Sequence, residues 1–359
     1  MLDSKLYRVV LLPSAVFLSV IFGGSYGSGQ EMVQFVTSAG PDGGYIALLT
    51  TALVWGMLLG TSFELARLFR THEYAGFMQV LLKRGAIVYE VAILLSMVLV
   101  LAICASGAGT VLGEHFRVPI WIGSMALLIV AVILNYYGKA LVERTMIAAI
   151  VALLGLLVIL GFTVLNTPSL ELEQGFTNTN PILSGGQYAI VNGGFIPLLV
   201  YCGRGVQSRS ESYTAGFCAA VITVIPGLIL HTSFLTSYPQ VLSESLPAYF
   251  VISQLMSPTF LSIYVFILFV MIIQTAVGIT QGLTDRFDAL SYRRRQQPLN
   301  KITHAGLTAG VISASMALAS IGFVALIAQG YNILVYVFIA TFVVPLLTYG
   351  LYLILRSKS

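Results

Sequence analysis

Two short polar stretches interrupt an otherwise apolar chain: FGGSYGSGQE, Phe22 to Glu31, and NGGFIP, Asn192 to Pro197. In hydrocarbon every backbone N–H and C=O needs a partner, so unwound backbone persists only where protein or water surrounds it. Glycine concentrated in mid-span therefore predicts a broken helix that lines a cavity. The candidate ligand-binding residues are Gly23, Gly24, Ser25 and Tyr26 in the first stretch and Asn192, Gly193, Gly194 and Phe195 in the second. The end of one half-helix would offer carbonyls to a cation, and the start of the next would offer N–H groups to an anion. Close packing through small residues, such as Gly23 and Gly27 four apart, explains either stretch alone but not their correspondence.

Ionisable residues inside apolar segments are the next candidates, because burying a charge is expensive. Ser28 and Glu31 have the spacing of a capping box that would begin a second half-helix. The same carboxylate, facing a cavity, would take a proton or a cation, and the two roles are compatible. Glu90 lies about two helical turns beyond Lys83 and Arg84, as a proton carrier or as the partner of a basic residue. Glu64 stands three residues before Arg67, the spacing of a simple helical ion pair. His231 is a lone histidine, expected to be hydrogen-bonded structure. Gln274, Gly278, Gln281, Gly282 and Asp285 recur at helical spacing and make one polar, closely approachable face. No H-E-x-x-H, G-x-S-x-G or P-loop pattern occurs, so enzyme and ATP-driven pump readings lack their chemistry. Neither polar stretch clusters Asp, His, Met or Cys, and Cys104, Cys202 and Cys218 lack metal-ligand spacing.

The elements that must carry these residues follow from composition. Of 359 residues 57% are hydrophobic and only 9% charged, too few to cover a soluble surface. The chain is expected to be an all-α polytopic membrane protein, with lipid bilayer rather than nucleic acid as its surroundings. Ten spans are predicted, at 7–38, 45–69, 85–112, 118–138, 145–165, 187–203, 213–237, 258–285, 304–327 and 331–355. With a cytoplasmic N-terminus, Arg117 alone of the 18 lysines and arginines falls outside. Basic residues stay on the cytoplasmic side, so this bias supports the count, and both termini are placed in the cytoplasm. The interrupted spans are then the first and the sixth. Each opens a set of five, residues 1–166 and 187–359, and because five is odd the sets insert with opposite orientation. Interrupted segments at matching positions of inverted halves point to a transporter's binding site.

The first motif, FGGSYGSGQEMVQFVTSAGP, resembles that of the YkvI family of bacterial membrane proteins, and QTAVGITQGLTDRFD, Gln274 to Asp288, resembles that family's eighth span. That family is similar in turn to the amino acid–polyamine–organocation superfamily, with its LeuT-type five-plus-five inverted repeat and broken helices 1 and 6. The resemblance implies a secondary active transporter of the bacterial inner membrane, working by alternating access on a small organic solute, first an amino acid or amine. It implies coupling to protons or sodium, with Glu31, Glu90, Gln274, Thr275 and Thr280 as candidates. In LeuT-like transporters a sodium ion bridges the first break and hydroxyls of span eight; Thr275 is the best-placed counterpart, and Thr280 equally suits a bond to its own helix. Adjacent paired hydroxyls of many sodium-coupled relatives are absent, so both couplings stay open and no cofactor is implied beyond a possible sodium ion. The resemblance also suggests a cytoplasmic gate of Lys5 and Arg8 with Asp285 and Asp288, whose alternative is an ordinary surface pair. The rival functions are a transporter-like ligand-binding sensor and a channel.

Overall fold

Helix is what this composition dictates, since a chain crossing lipid must satisfy its backbone within itself. The computed structural model describes residues 4–22, 26–137, 139–166, 179–295 and 300–357, with backbone alone at 137, 139–147, 285, 288–295 and 301. All secondary structure among the described residues is helical. A π-helical turn, Tyr7–Leu11, runs into α1 (Leu12–Ile21), and α2 (Gln30–Phe35) follows an interruption. Next come α3 (Pro41–Phe69), α4 (Tyr74–Leu82), α5 (Ala86–Phe116), α6 (Ile120–Tyr137) and α7 (Lys139–Leu165). The second stretch begins with α8 (Pro181–Gly193) and a 3-10 helix, Ile196–Gly205. It continues with α9 (Arg209–Leu235), α10 (Pro247–Leu255), α11 (Pro258–Arg295) and α12 (Lys301–Ala319). A last helix, Phe323–Arg356, contains three π-helical turns.

Seven described helices are long and apolar enough to cross a bilayer, by length and composition: Pro41–Phe69, Tyr74–Phe116, Ala148–Leu165, Arg209–Leu235, Pro258–Thr284, Ile302–Ala319 and Phe323–Arg356. Tyr7–Ile21 and Ile120–Tyr136 are apolar but shorter. The expected sixth span is the α8 and 3-10 pair, each part too short to cross alone. Two features differ from expectation. The ninth and tenth spans part at Gly322, whose φ of +104° stops α12, and not near Gly330, where the chain stays helical. Two short helices, α4 and α10, occupy what read as plain connections.

The most extensive helix pair is α3 against α9. Their backbones meet closely: a Cβ on Gly216 would lie 2.4 Å from the Gly60 nitrogen. Without a hydrophobic drive between helices in lipid, such close van der Waals contact is what joins them. Around this pair, α3 packs on α8 while α9 packs on α1, and α5 packs on α6, α11 and α12. Of the short helices, α4 packs on the 3-10 segment and α5, and α10 packs on α11 and α9 with a smaller contact to α2. Polar anchors accompany these contacts. Trp55 Nε1 on α3 donates to the Ala189 carbonyl of α8 at 2.9 Å, and the Tyr26 hydroxyl donates to the Thr223 carbonyl of α9 at 2.8 Å.

Candidate functional site

The first interruption lies between α1 and α2. Gly23, Gly24 and Ser25 fall outside the described residues, and helix ends beyond them at Gly29, whose φ is +77°. That left-handed conformation suits glycine, because a Cβ there meets its own backbone. An added Cβ would also lie 2.5 Å from Cζ of Phe234. The expected capping box is replaced: Gly29 caps α2, Ser28 Oγ accepts from the Gln30 N–H at 3.3 Å, and Glu31 reaches elsewhere. The Gly27 carbonyl, left over by the change of direction, accepts from the Tyr264 hydroxyl of α11 at 2.6 Å.

The second interruption is a change of helix type. Pro197 has no N–H to continue the α-helical ladder, and α8 gives way at Gly193 to the 3-10 helix from Ile196. Gly194 keeps an ordinary φ of −57°. Its constraint is space, since an added Cβ would lie 2.1 Å from the ring of Phe338 in the last helix. The Gly194 carbonyl accepts from the Tyr89 hydroxyl of α5 at 2.7 Å. Each interruption thus has one glycine carbonyl satisfied by a buried tyrosine from a neighbouring long helix.

Between the interruptions lies a cavity of about 390 Å³. It receives Glu31 from α2, Asn192 and Phe195 from the second interruption, Gln274 and Thr275 from α11, and Tyr331 from the last helix. Glu31 is 1% exposed; Asn192 Nδ2 lies 3.4 Å from its Oε2, and the Tyr331 side chain hydrogen-bonds it as well. One carboxylate thereby joins both interruptions and the last helix. Thr275 lines the cavity and also donates to the Met271 carbonyl of its own helix at 3.0 Å. Gly278 and Gln281 continue the polar face of α11, and a Cβ on Gly278 would meet nothing within 4 Å.

Other predicted residues lie apart from this cavity. The hydroxyl of Tyr26 is engaged by α9, and Gly193 and Gly194 abut Leu58 and Phe338. Thr280 donates to the Ala276 and Val277 carbonyls and accepts from Asn135 of α6 at 3.0 Å, which places it on another face of α11. Glu90 binds Arg286 of α11 at 3.1 Å and accepts from the Tyr74 hydroxyl of α4, with the Arg286 guanidinium 5.7 Å from the Tyr74 ring. Lys5 Nζ lies 3.2 Å from Glu211 at the start of α9, and Arg8 donates to the Gly205 carbonyl at 3.0 Å. The side chains of Asp285 and Asp288 lie outside the described residues. Glu64 holds Arg67 through two 2.8 Å bonds and accepts from Ser212, so it is a helical ion pair that also ties α3 to α9. His231 sits 3.0 Å from the Pro41 carbonyl through Nε2 and 3.1 Å from the Thr37 hydroxyl through Nδ1. A carbonyl only accepts, so Nε2 carries the proton and a neutral ring accepts from Thr37.

Sequence reasoning missed Tyr331, Tyr89 and Tyr264. A tyrosine inside a span carries a hydroxyl that must find a partner in lipid, and that was the available signal. His72, outside the long helices, has its pKa lowered by burial and then by the neighbouring Arg204. Among the described residues no three of His, Cys, Asp and Glu gather as a metal site.

No protein-family model matches the chain, and no curated protein matches it in sequence. Solved structures match it in fold. The manganese transporter of Eremococcus coleocola, in complex with an aromatic bis-isothiourea substituted compound, aligns with a TM-score of 0.58 at 12% identity. That alignment covers 95% of this chain and 79% of the other. Two mutant structures of the same transporter align with the same values. The chain thus has the fold of a multi-pass, all-helical membrane transporter.

Proposed function

We propose that the protein is a secondary active transporter moving a small organic solute, an amino acid or amine, by alternating access. The observation that carries this is the cavity in which Glu31, from one interruption, meets Asn192, from the other. Differential affinity of a ligand for two arrangements of those segments is what biases such an equilibrium.

A five-plus-five inverted repeat fits the contacts. Exchanging the first span with the sixth, the second with the seventh and the third with the eighth turns Tyr264 on Gly27 into Tyr89 on Gly194. The same exchange turns Trp55 on Ala189 into Tyr26 on Thr223, reversing which span donates. It also turns α4 on the 3-10 segment into α10 on α2, each helix being nine residues long. Residues 1–166 and 187–359 are then the two halves, and the lysine and arginine bias favours a cytoplasmic side for both termini. There Lys5 and Arg8 with Glu211 join the cytoplasmic ends of spans one and seven as a gate. Glu31 is the candidate for proton coupling, and Thr275 with Gln274 for sodium. The fold neighbours are manganese transporters; here a single carboxylate among the described residues of a largely apolar lining favours an organic solute.

The test is uptake by proteoliposomes under an imposed proton or sodium gradient, with a panel of amino acids and amines. Gradient-dependent accumulation that Asn192→Ala abolishes is expected. Ligand binding without accumulation under either gradient would reduce the protein to a sensor, and conductance far above carrier turnover would make it a channel.

A further inference from the structure

Where α4 turns into α5, Lys83 holds φ +53° and ψ −121°. Arg70 and Arg117 also have positive φ, but their ψ of +35° and +36° makes them ordinary left-handed helix caps. Lys83 is strained by comparison, and such strain persists where the surroundings fix it, often where a ligand is held. What this turn sets in place is a cation. Lys83 Nζ rests 5.2 Å from the centre of the Tyr349 ring of the last helix, and Tyr349 stacks on Tyr352 at 6.3 Å. Arg356 donates to the Tyr352 hydroxyl at 3.3 Å, and Arg84 stands exposed beside Lys83. Lys5, Arg8, Arg67, Arg204 and Arg286 each pair with a glutamate. Among the described residues no carboxylate pairs with Lys83 or Arg84. Here α5 begins and the last helix ends, so the patch stands at one surface of the membrane.

We infer that this patch binds an anionic phospholipid, with Lys83 and Arg84 taking the phosphate and α5 carrying the acyl chains. A phosphate is drawn to cations that no carboxylate already occupies, and the turn offers two side by side. A zwitterionic headgroup would bring an ammonium against the same cations with no acid to receive it, so a net negative headgroup fits better. Past the charges, Ile87, Val91 and Leu95 recur every four residues on α5 as an exposed aliphatic stripe. A free phosphate would leave that stripe unused, whereas acyl chains lie along it. The two tyrosines suit the headgroup level, where a ring has one apolar end and one wet end. Basic residues at the ends of membrane helices are common, because sidedness asks for charge there. Sidedness alone does not ask for a strained lysine laid on a ring.

Melting of delipidated full-length protein in neutral detergent, with and without added lipid, tests this, because a ligand stabilises the form it binds. Dioleoylphosphatidylglycerol should raise the melting point by several degrees, and dioleoylphosphatidylethanolamine by less than a third as much. Inorganic phosphate at the same concentration should not move it measurably. Lys83→Gly with Arg84→Gln should remove most of the phosphatidylglycerol shift. Glycine takes the Lys83 conformation without strain, so this variant is expected to melt no lower than wild type before lipid is added. Lys83→Gln with Arg84→Gln, which keeps the strain, should lose the shift as well. The control is Arg70→Ala with Arg209→Ala, which takes two charges from the same end of the protein, one of them 5.8 Å from the Tyr213 ring. That pair should keep the shift, and so should Tyr349→Phe, which keeps the ring under Lys83. Four results would each overturn the inference. They are no phosphatidylglycerol shift in wild type, an equal shift with phosphatidylethanolamine or phosphate, a folded Lys83 and Arg84 double variant that keeps the shift, and an equal loss in the control pair.

Discussion

At the first interruption Gly29 holds a φ of +77°, whereas at the second Gly194 holds −57°, a conformation open to any residue. Glycine serves the first by its backbone freedom and the second by its lack of volume, since the Phe338 ring occupies the space a side chain would need. Yet each interruption has a carbonyl held by a buried tyrosine hydroxyl. The shared feature is therefore hydrogen-bond satisfaction, and the glycines are local means to it.

That difference is sharpest under substitution. Gly29→Ala should destabilise most, by about 2–5 kcal/mol, adding left-handed strain to overlap with Phe234. Melting of the purified protein in detergent measures it. Pairing it with Phe234→Leu should recover only part of the loss, because the backbone strain remains. Full recovery would make the first glycine a matter of volume too.

Gly194→Ala comes next, at about 1–3 kcal/mol of overpacking. Here relief at the neighbour should work: with Phe338→Leu the double variant is expected to melt above Gly194→Ala alone. Such coupling is what a double-mutant cycle resolves for residues in contact. Independent effects would remove the contrast between the interruptions.

Tyr89→Phe and Tyr264→Phe should each cost about 1–2 kcal/mol, the price of leaving a buried carbonyl unmet. The two losses should agree within about 0.5 kcal/mol if the tyrosines occupy equivalent places. A marked inequality would argue against the inverted repeat.

How much of this was legible depends on which physics carried it. Helical class, membrane placement and the two interruptions were readable because lipid makes apolar length and misplaced glycine unambiguous. Asn192 and Glu31 were both named from the sequence, but not that they meet, since that distance depends on how α2 packs against α8. Thr275 and Thr280, five residues apart on one helix, were both candidates, with Thr275 put first and Thr280 matched to a bond with its own helix. The neighbours of α11 supply the rest: Thr275 faces the cavity, and Thr280 faces Asn135 of α6. Tyr331 carried the same signal as Tyr89 and Tyr264, a hydroxyl inside a span, but which way it turns depends on how the last helix packs.

The smallest effect expected is at the end of the first span that precedes α1, where Arg8 and Lys5 treat the second interruption unequally. Arg8 donates to the Gly205 carbonyl, the last residue of the 3-10 helix, and to Gln207 Oε1 at 3.2 Å, so it fastens one interrupted span to the other. Lys5 only approaches Glu211, with a side chain 70% exposed. An exposed pair gains little over hydration, so Lys5→Ala should shift stability by less than about 0.5 kcal/mol. Arg8→Ala should cost about 1 kcal/mol, because the Gly205 carbonyl loses a charge-assisted donor. Melting curves at low and high salt separate the two: whatever Lys5 contributes should vanish in 1 M salt, while most of the Arg8 contribution persists. If both respond to salt alike, the contact between the interrupted spans at this end is a solvated charge cluster, and Glu31 with Asn192 is the contact that joins them.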